Sequence, residues 1–207
     1  MTTNPQIQIT RRDGNPSLPE STISFEEKLT RNELSLRSTE VEILQVNVGK
    51  LCNQACKHCH VDASPTRTEI IERKTIDACL DVLRDNNIPT LDITGGAPEL
   101  VPDFRYLVTE ARKTGAKIMV RHNLTVMFED GFEDLPDFFA ENKVEVVCSL
   151  PYFMQQQTDA QRGDGVFDKS IEALTKLNAV GYGTAESGLI LNLVYNPVGA
   201  FLPPEQN

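Results

Sequence analysis

The chain has 207 residues, of which 40% are hydrophobic and 24% are charged, a composition typical of one globular domain with a sizeable core. Its formal net charge is −10 and no run of Lys or Arg is longer than two, which argues against nucleic acid as a partner. No apolar run approaches the ~20 residues that cross a bilayer, so we expect no membrane partner. The five cysteines are unevenly placed and do not suggest disulfides, which favours a cytoplasmic location.

The first 40 residues differ in character from the rest. Residues 1–23 are polar and rich in proline without periodicity, which predicts a disordered tail. The segment from Ser24 to Leu36 is amphipathic and predicts a short helix. Ser24 would cap it, with Glu27 three residues later completing a capping box.

From residue 42 onwards, apolar runs alternate with segments of helical periodicity. This alternation predicts βαβ units and a parallel sheet, because parallel strands need a crossover helix between them. The core would take Cys79 and Cys148, which lie within a predicted helix and a predicted strand. The predicted strands are 42–48, 90–94, 117–121, 144–150 and 188–195, and the predicted helices are 69–86, 103–114, 132–141 and 167–180.

Three cysteines, Cys52, Cys56 and Cys59, follow the first predicted strand at C-x3-C-x2-C spacing. A strand that ends in this loop would place three thiols at one end of the sheet. Thiolates are soft ligands that select zinc, copper(I) or iron–sulfur clusters. Because each iron of a [4Fe–4S] cluster normally takes one Cys ligand, three cysteines would leave one iron open to a small molecule.

The alternative reading of this motif is a structural zinc site. The three cysteines plus His58 or His60 would make a closed Cys3His set, and the protein would then be a non-catalytic zinc or Fe–S binding module. Structural zinc sites usually combine two short-spaced ligand pairs, and the sequence has no second pair.

The sequence around the cysteines, Cys-Asn-Gln-Ala-Cys-Lys-His-Cys-His-Val-Asp-Ala, resembles the radical S-adenosylmethionine (SAM) superfamily, in particular its arsenosugar-biosynthesis branch. The resemblance implies a [4Fe–4S] cluster held by Cys52, Cys56 and Cys59, with SAM on the open iron. It implies a (β/α)6 partial TIM barrel, and the five predicted units describe most of one. We therefore expect residues 24–207 to be a radical SAM core that is incomplete at its C-terminus.

The loops after the strands are site candidates, since ligands of parallel α/β folds bind at the carboxyl ends of the strands. After the second strand, Gly95 and Gly96 would allow close backbone approach to a ligand. This loop resembles the Gly-Gly-Glu motif of the superfamily, which implies that Gly95, Gly96 and Glu99 bind the amino group of SAM while Pro98 shapes the turn.

Later loops supply further candidates. Asn123 lies in a polar cluster after the third strand, and Arg162 lies in a Gln-Arg-Gly-Asp-Gly stretch that resembles the arsenosugar branch. Arg162 could hold the carboxylate of SAM or an arsenic-bound oxygen, and Asn123 is a site candidate by its position at a strand exit. Both residues could instead belong to ordinary surface loops. The resemblance adds SAM contacts at His60 and Ser149, and at a strand similar to the G-x-I-x-G motif, Gly188, Ile190 and Asn192.

The resemblance implies an enzyme that cleaves SAM to a 5′-deoxyadenosyl radical and joins it to a methylated trivalent arsenical. An electron donor such as ferredoxin or flavodoxin would be its partner. A radical SAM reaction on another small metabolite or a peptide is the alternative. Tyr152 and Phe153 stand where the branch is expected to have a Cys-Tyr pair, which weakens the case for arsenic.

Overall fold

The computed structural model describes residues 11–12, 15–16, 23–37 and 40–196. The chain divides into two compact units, Met1–Glu40 and Val41–Asn207. None of the described helices is both long and apolar enough to span a bilayer.

The first unit contains little regular structure among its described residues. Strand β1 (Arg11–Arg12) pairs antiparallel with β2 (Asn15–Pro16). The other residues of the predicted tail, apart from Ile23, lie outside the described part of the chain, so its disorder stays a prediction. Helix α1 (Phe25–Arg31) begins as the capping pattern predicts, since Ser24 Oγ accepts a hydrogen bond from the Glu27 amide at 3.1 Å. The Glu27 carboxylate instead pairs with Arg31, so the capping box is not reciprocal.

The second unit is built on five strands that alternate with helices along the chain. The strands are β3 (Ile43–Asn47), β4 (Thr90–Thr94), β5 (Lys117–His122), β6 (Glu145–Ser149) and β7 (Leu191–Val194). The helices are α2 (Arg73–Asp85), α3 (Phe104–Lys113), α4 (Leu135–Glu141), α5 (Gln155–Arg162) and α6 (Val166–Ala179).

All five strands are parallel and lie side by side in chain order, β3-β4-β5-β6-β7. This arrangement confirms the predicted α/β class, a partial TIM barrel with crossover helices. Because all the strands run in one direction, the loops that follow β3, β4, β5 and β6 meet at one edge of the sheet. This is the edge at which the candidate site residues were predicted.

The two faces of the sheet have opposite chemistry. One face presents Val46, Ile93 and Val120 to a core that also contains Ile76 of α2 and Leu107 of α3. The other face carries polar side chains that bond to one another, among them Gln45, Asp92, Arg121 and Glu145. The period-2 alternation of strand side chains separates the two sets.

Helix α5 was not predicted, and the segment that forms it was read as a loop. Its sequence, Gln-Gln-Gln-Thr-Asp-Ala-Gln-Arg, lacks the apolar periodicity that indicates a helix. It ends at Gly163, whose φ of 118° lies in a region that glycine tolerates best. The buried faces of α5 are polar, through Thr158, Gln161 and Arg162.

We expect Ile93→Ala to destabilise the protein by about 2–5 kcal/mol, because Ile93 is fully buried on a central strand and its loss leaves a cavity. Urea unfolding followed by circular dichroism measures the change. The control is Val82→Ala on the exposed side of α2, where the expected change is within about 0.5 kcal/mol. Equal effects of the two substitutions would contradict the assignment of the core face.

Candidate functional site

The three-cysteine loop leaves the sheet after β3 and is fixed at its base. Val48 continues the β3–β4 pairing by donating to the Thr94 carbonyl at 2.9 Å. The Lys50 amide donates to the Glu69 carbonyl at 2.8 Å, and the Cys52 amide donates to the Ser64 carbonyl at 3.3 Å. The two ends of the loop between β3 and α2 are therefore held together by backbone hydrogen bonds. Its cysteines lie beyond the carboxyl edge of the sheet.

All three cysteines line one cavity of about 230 Å³. The cavity lies beside the loop after β4 and the carboxyl ends of β5 and β6, and is open to solvent. Its lining includes six of the predicted site residues besides the cysteines. These are His60, Gly95, Gly96, Asn123, Ser149 and Arg162.

The three sulfur atoms meet different partners. Cys52 Sγ accepts from the Gln54 amide at 3.4 Å and from Asn123 Nδ2 at 3.6 Å, and Cys59 Sγ accepts from the Ala63 amide at 3.2 Å. Cys56 Sγ donates to Gln54 Oε1 at 3.2 Å. Donors aimed at sulfur favour the thiolate, which is the form that ligates metal.

Burial acts against these donors. Burial raises the pKa of the Cys52 thiol above its ordinary value, and the hydrogen bonds from Gln54 and Asn123 offset this only in part. The pKa of Cys56 is also raised by burial, while the neighbouring Arg162 guanidinium lowers it. Because a metal ligates the thiolate, binding of a metal centre to these cysteines would release their protons.

The donor set fits an iron–sulfur cluster better than a zinc ion. No group of three His, Cys, Asp or Glu side chains within the described ranges converges closely enough to hold one metal ion. A cubane differs because its ligands bind separate irons and need not meet at one point. Three soft thiols around one cavity match that requirement, and a cluster bound by them would have one iron without a cysteine ligand.

The glycine loop after β4 packs directly on the cysteine loop. Gly96 donates to the Gly49 carbonyl at 2.9 Å, and Ala97 donates to the Leu51 carbonyl at 2.8 Å. A Cβ atom at Gly96 would lie 2.3 Å from the Leu51 carbonyl oxygen, which is a backbone clash. Glycine at this position therefore allows contact between the two loops.

Pro98 and Glu99 belong to the short 3-10 turn Pro98–Leu100, and neither lines the cavity. The Glu99 carboxylate is buried and lies 2.7 Å from His122 Nδ1, with both side chains fully inaccessible. The structure therefore places Glu99 between the sheet and the helices rather than among the cavity residues. Burial, with the nearby Glu99 carboxylate as a smaller cause, raises the pKa of the adjacent Cys148 thiol far above its ordinary value.

Arg162 joins three parts of the site from the end of α5. Its Nε and Nη2 donate to Gln54 Oε1 at 3.2 and 2.8 Å. Its Nη1 donates to the Ser149 carbonyl, and Nη2 also reaches the Asn123 carbonyl at 3.4 Å. The guanidinium thus ties the cysteine loop to the exits of β5 and β6.

Asn123 has a similar bridging position. Its Nδ2 donates to Asn53 Oδ1 at 2.7 Å, and its Oδ1 accepts from the Val126 amide at 3.1 Å. The residue therefore orients the cysteine loop while its side chain lies at the cavity.

Three predicted residues besides Pro98 and Glu99 are not brought to the cavity. Gly188 and Ile190 precede β7 and are outside the cavity lining. Asn192 donates to Glu145 Oε1 at 2.7 Å near the amino end of β6. Their predicted contact with SAM stays a prediction.

Sequence reasoning did not select Gln54 or Arg121 as site residues, although both line the cavity. Gln54 is buried between two cysteines, where its side chain links Cys56, Arg162 and Thr125. The available signal for Arg121 was its place at the start of the polar cluster 121–125, from which only Asn123 was selected. Its partner Asp92 lies on the neighbouring strand, which only the sheet register identifies.

These features define a cavity lined by three cysteines at the carboxyl edge of a parallel α/β sheet, and comparison with known proteins gives the family. The Radical SAM superfamily pattern matches residues 46–197, so the chain belongs to the radical SAM superfamily. Enzymes of this class use a [4Fe–4S] cluster and SAM.

Two curated relatives are the subtilosin biosynthesis protein AlbA of Bacillus subtilis and the mycofactocin maturase MftC of Mycobacterium tuberculosis. AlbA is 28% identical over 131 residues, 63% of this chain and 29% of AlbA. MftC is 28% identical over 145 residues, 68% of this chain and 35% of MftC. The chain thus spans about a third of the length of these relatives.

Two solved structures support the fold. Streptococcus suis SuiB bound to SAM has a TM-score of 0.57 at 20% identity, covering 74% of this chain and 34% of SuiB. The protein anSMEcpe with bound SAM has a TM-score of 0.58 at 19% identity, covering 75% of this chain and 43% of that protein. These comparisons show the superfamily and do not show that the chain belongs to its arsenosugar-biosynthesis branch.

We expect Gly96→Ala to weaken SAM binding about tenfold, because the added Cβ pushes the glycine loop away from Leu51. Equilibrium dialysis of the anaerobically reconstituted protein measures the affinity, and iron analysis verifies the cluster. Gly131→Asn is the control, since Gly131 has open surroundings and Asn tolerates its positive φ. Unchanged SAM affinity in folded Gly96→Ala protein would contradict a role for this contact.

Proposed function

We propose that this chain binds a [4Fe–4S] cluster through Cys52, Cys56 and Cys59 and generates a 5′-deoxyadenosyl radical from SAM. The observation that carries the proposal is the cavity that the three cysteines share with Gly95 and Gly96. The cluster, when bound, supplies the electron that cleaves SAM into methionine and the radical. A ferredoxin or flavodoxin is the class of donor that would deliver this electron.

The side chains of the cavity have distinct tasks in this proposal. The backbone around Gly95 and Gly96 would accept the amino group of SAM, because the absence of side chains permits close approach. Arg162 holds the cysteine loop in place and puts a buried positive charge beside Cys56. That charge favours the thiolates on which the cluster depends.

Ser149, the last residue of β6, and His60 of the cysteine loop both line the cavity. We assign to them contacts with the ribose and the adenine of SAM. Both positions are at the carboxyl edge of the sheet, where parallel α/β folds bind ligands.

The first candidate substrate is a methylated trivalent arsenical. Its support is the resemblance of the cysteine loop and of the Gln161-Arg162-Gly163-Asp164-Gly165 stretch to the arsenosugar branch. The C5′–S bond of SAM would break and a C5′–As bond would form, with arsenic oxidised from the trivalent to the pentavalent state. The odd electron would return to the cluster and the hydroxyl proton of the arsenical would leave, so SAM would be consumed as a substrate. Tyr152 and Phe153, in place of the expected Cys-Tyr pair, weigh against arsenic ligation by the enzyme itself.

The second candidate substrate is a peptide. Its support is the names of the relatives, since AlbA is a bacteriocin biosynthesis protein and one SuiB structure is bound to its precursor peptide. The cavity is open to solvent, so it would admit part of a longer chain.

The experiment is anaerobic incubation of the reconstituted protein with SAM and dithionite, followed by mass spectrometry of 5′-deoxyadenosine. We expect formation of 5′-deoxyadenosine by the wild-type chain and at least a ~100-fold loss in Cys52→Ala, which lacks one cluster ligand. Cys79→Ala is the matched control, because Cys79 packs in α2 away from the cavity. Full turnover by Cys52→Ala, or a colourless protein that retains stoichiometric zinc, would contradict the proposal.

Adding dimethylarsinous acid or a candidate precursor peptide to the same assay separates the two substrates. The true substrate is expected to yield a product that contains adenosyl carbon or has a changed peptide mass. An arsenic–adenosyl product would favour the first candidate, and a peptide mass change would favour the second.

A further inference from the structure

The cavity has a positive lining in a strongly acidic protein. The chain carries 30 acidic and 20 basic residues, yet two arginines and no carboxylate line the cavity. A recess lined by one sign of charge attracts ligands of the opposite sign. The two arginines, Arg121 and Arg162, differ in how many of their donors are free.

Arg162 has fewer free N–H groups for a ligand than Arg121, since its Nε and both N–H groups of Nη2 have partners and only one N–H of Nη1 is free. All three of its guanidinium nitrogens donate to oxygen atoms of Gln54, Ser149 and Asn123. These oxygens are neutral, so none of them cancels the charge of Arg162. Arg121, whose Nη1 is free, is therefore the arginine better placed to bind a further anion through two N–H groups.

Arg121 is oriented for binding by its neighbours on the sheet. Its Nε and Nη2 donate to Asp92 at 3.1 and 2.8 Å, so the side edge of the guanidinium is occupied. Gln45 holds the same carboxylate at 2.6 Å, and the Asp92 side chain is only 5% exposed. The three residues come from β3, β4 and β5, and therefore fix the guanidinium on rigid strands.

The other edge of the Arg121 guanidinium is free. Nη1 makes no hydrogen bond within the described residues, and the side chain is 43% exposed and lines the cavity. This end-on edge, formed by Nη1 and Nη2, matches the two oxygens of a carboxylate. A guanidinium that is already held in place loses little side-chain entropy when a ligand binds.

We propose that Arg121, held by Asp92 and Gln45, is the binding group for a carboxylate of the substrate. The inference rests on the proposed function and adds the substrate class, a molecule with a carboxylate close to its reacting atom. A peptide supplies one through an acidic side chain or its terminus. An arsenical supplies one through a carboxylate-bearing thiol, since trivalent arsenic is a soft centre that binds thiolates.

The methionyl carboxylate of SAM is a second source of the same chemistry, and the test separates the two. The reconstituted protein is loaded with SAM without reductant, and acetate binding is measured by saturation-transfer NMR, with neutral acetamide as the comparison probe. The affinities for SAM and for decarboxylated SAM are measured separately by equilibrium dialysis. The variants are Arg121→Gln, Arg121→Lys and a control, Arg105→Gln, which loses a bidentate pair with Asp134 outside the cavity.

We expect acetate to bind the SAM-loaded wild type and acetamide not to bind. Arg121→Gln should weaken acetate about tenfold or more, because a charge-assisted pair is lost. Arg121→Lys, which keeps the charge without the fork, should bind acetate less tightly than wild type, and it decides the result if Arg121→Gln does not fold. Arg105→Gln should match wild type, and SAM affinity should change less than about twofold in all three variants.

Three results would overturn the inference. The first is acetate binding unchanged by the Arg121 variants, and the second is no acetate binding by SAM-loaded wild type. The third is a loss of SAM affinity in Arg121→Gln that decarboxylated SAM does not suffer, which would assign Arg121 to the cofactor. Failure of the protein to take up cluster and SAM at all would instead contradict the proposed function.

Discussion

The site depends on close backbone contact between two loops that follow neighbouring strands. The glycine loop after β4 and the cysteine loop after β3 share hydrogen bonds from Gly96 and Ala97 to the carbonyls of Gly49 and Leu51. The space beside Leu51 admits no Cβ, so a glycine is required at position 96. This contact fixes the position of the backbone that leads into Cys52. It also fixes the position at which the backbone of the glycine loop can contact a ligand.

The polar face of the sheet gives the site its second constraint. Gln45, Asp92 and Arg121 form one bonded row across three strands, while the opposite face of the same strands packs in the apolar core. Charged groups on rigid strands hold their geometry better than groups on loops. Arg162 complements them from α5, where its buried charge lies beside Cys56 and its donors connect the cysteine loop to the exits of β5 and β6. The sheet therefore packs on the apolar core through one face and supports the cavity at its carboxyl edge, where Arg121 and Arg162 are held in place.

Much of the fold follows from the sequence because strand and helix periods are local signals. All five strands of the second unit were predicted within a few residues, and the glycines at 95 and 96 were placed at a strand exit as observed. Helix α5 was missed because its buried residues are polar, so no hydrophobic period marks it. Arg162 at the end of this helix is buried because its guanidinium bonds to Gln54 and to the carbonyls of Asn123 and Ser149, which are distant in sequence.

Side-chain pairs between distant segments of the chain could not be predicted from the sequence. Glu99 was expected at the cofactor, but it is paired with His122 behind the loop, because the 3-10 turn after Ala97 directs it to the helix side. The Asp92–Arg121 pair likewise depends on the register of β4 against β5. Such contacts require the three-dimensional arrangement, since their members are 23 and 29 residues apart.

The central claim is that three cysteines hold a cluster whose open iron binds SAM. Electron–nuclear double resonance on the reduced, reconstituted protein tests it directly, with SAM labelled by ¹⁵N at the amino group and ¹⁷O at the carboxylate. The account predicts hyperfine coupling of both labels to the cluster, which requires direct coordination to iron. A reduced cluster that binds SAM without coupling to either label, or the absence of any cluster signal after reconstitution, would contradict it.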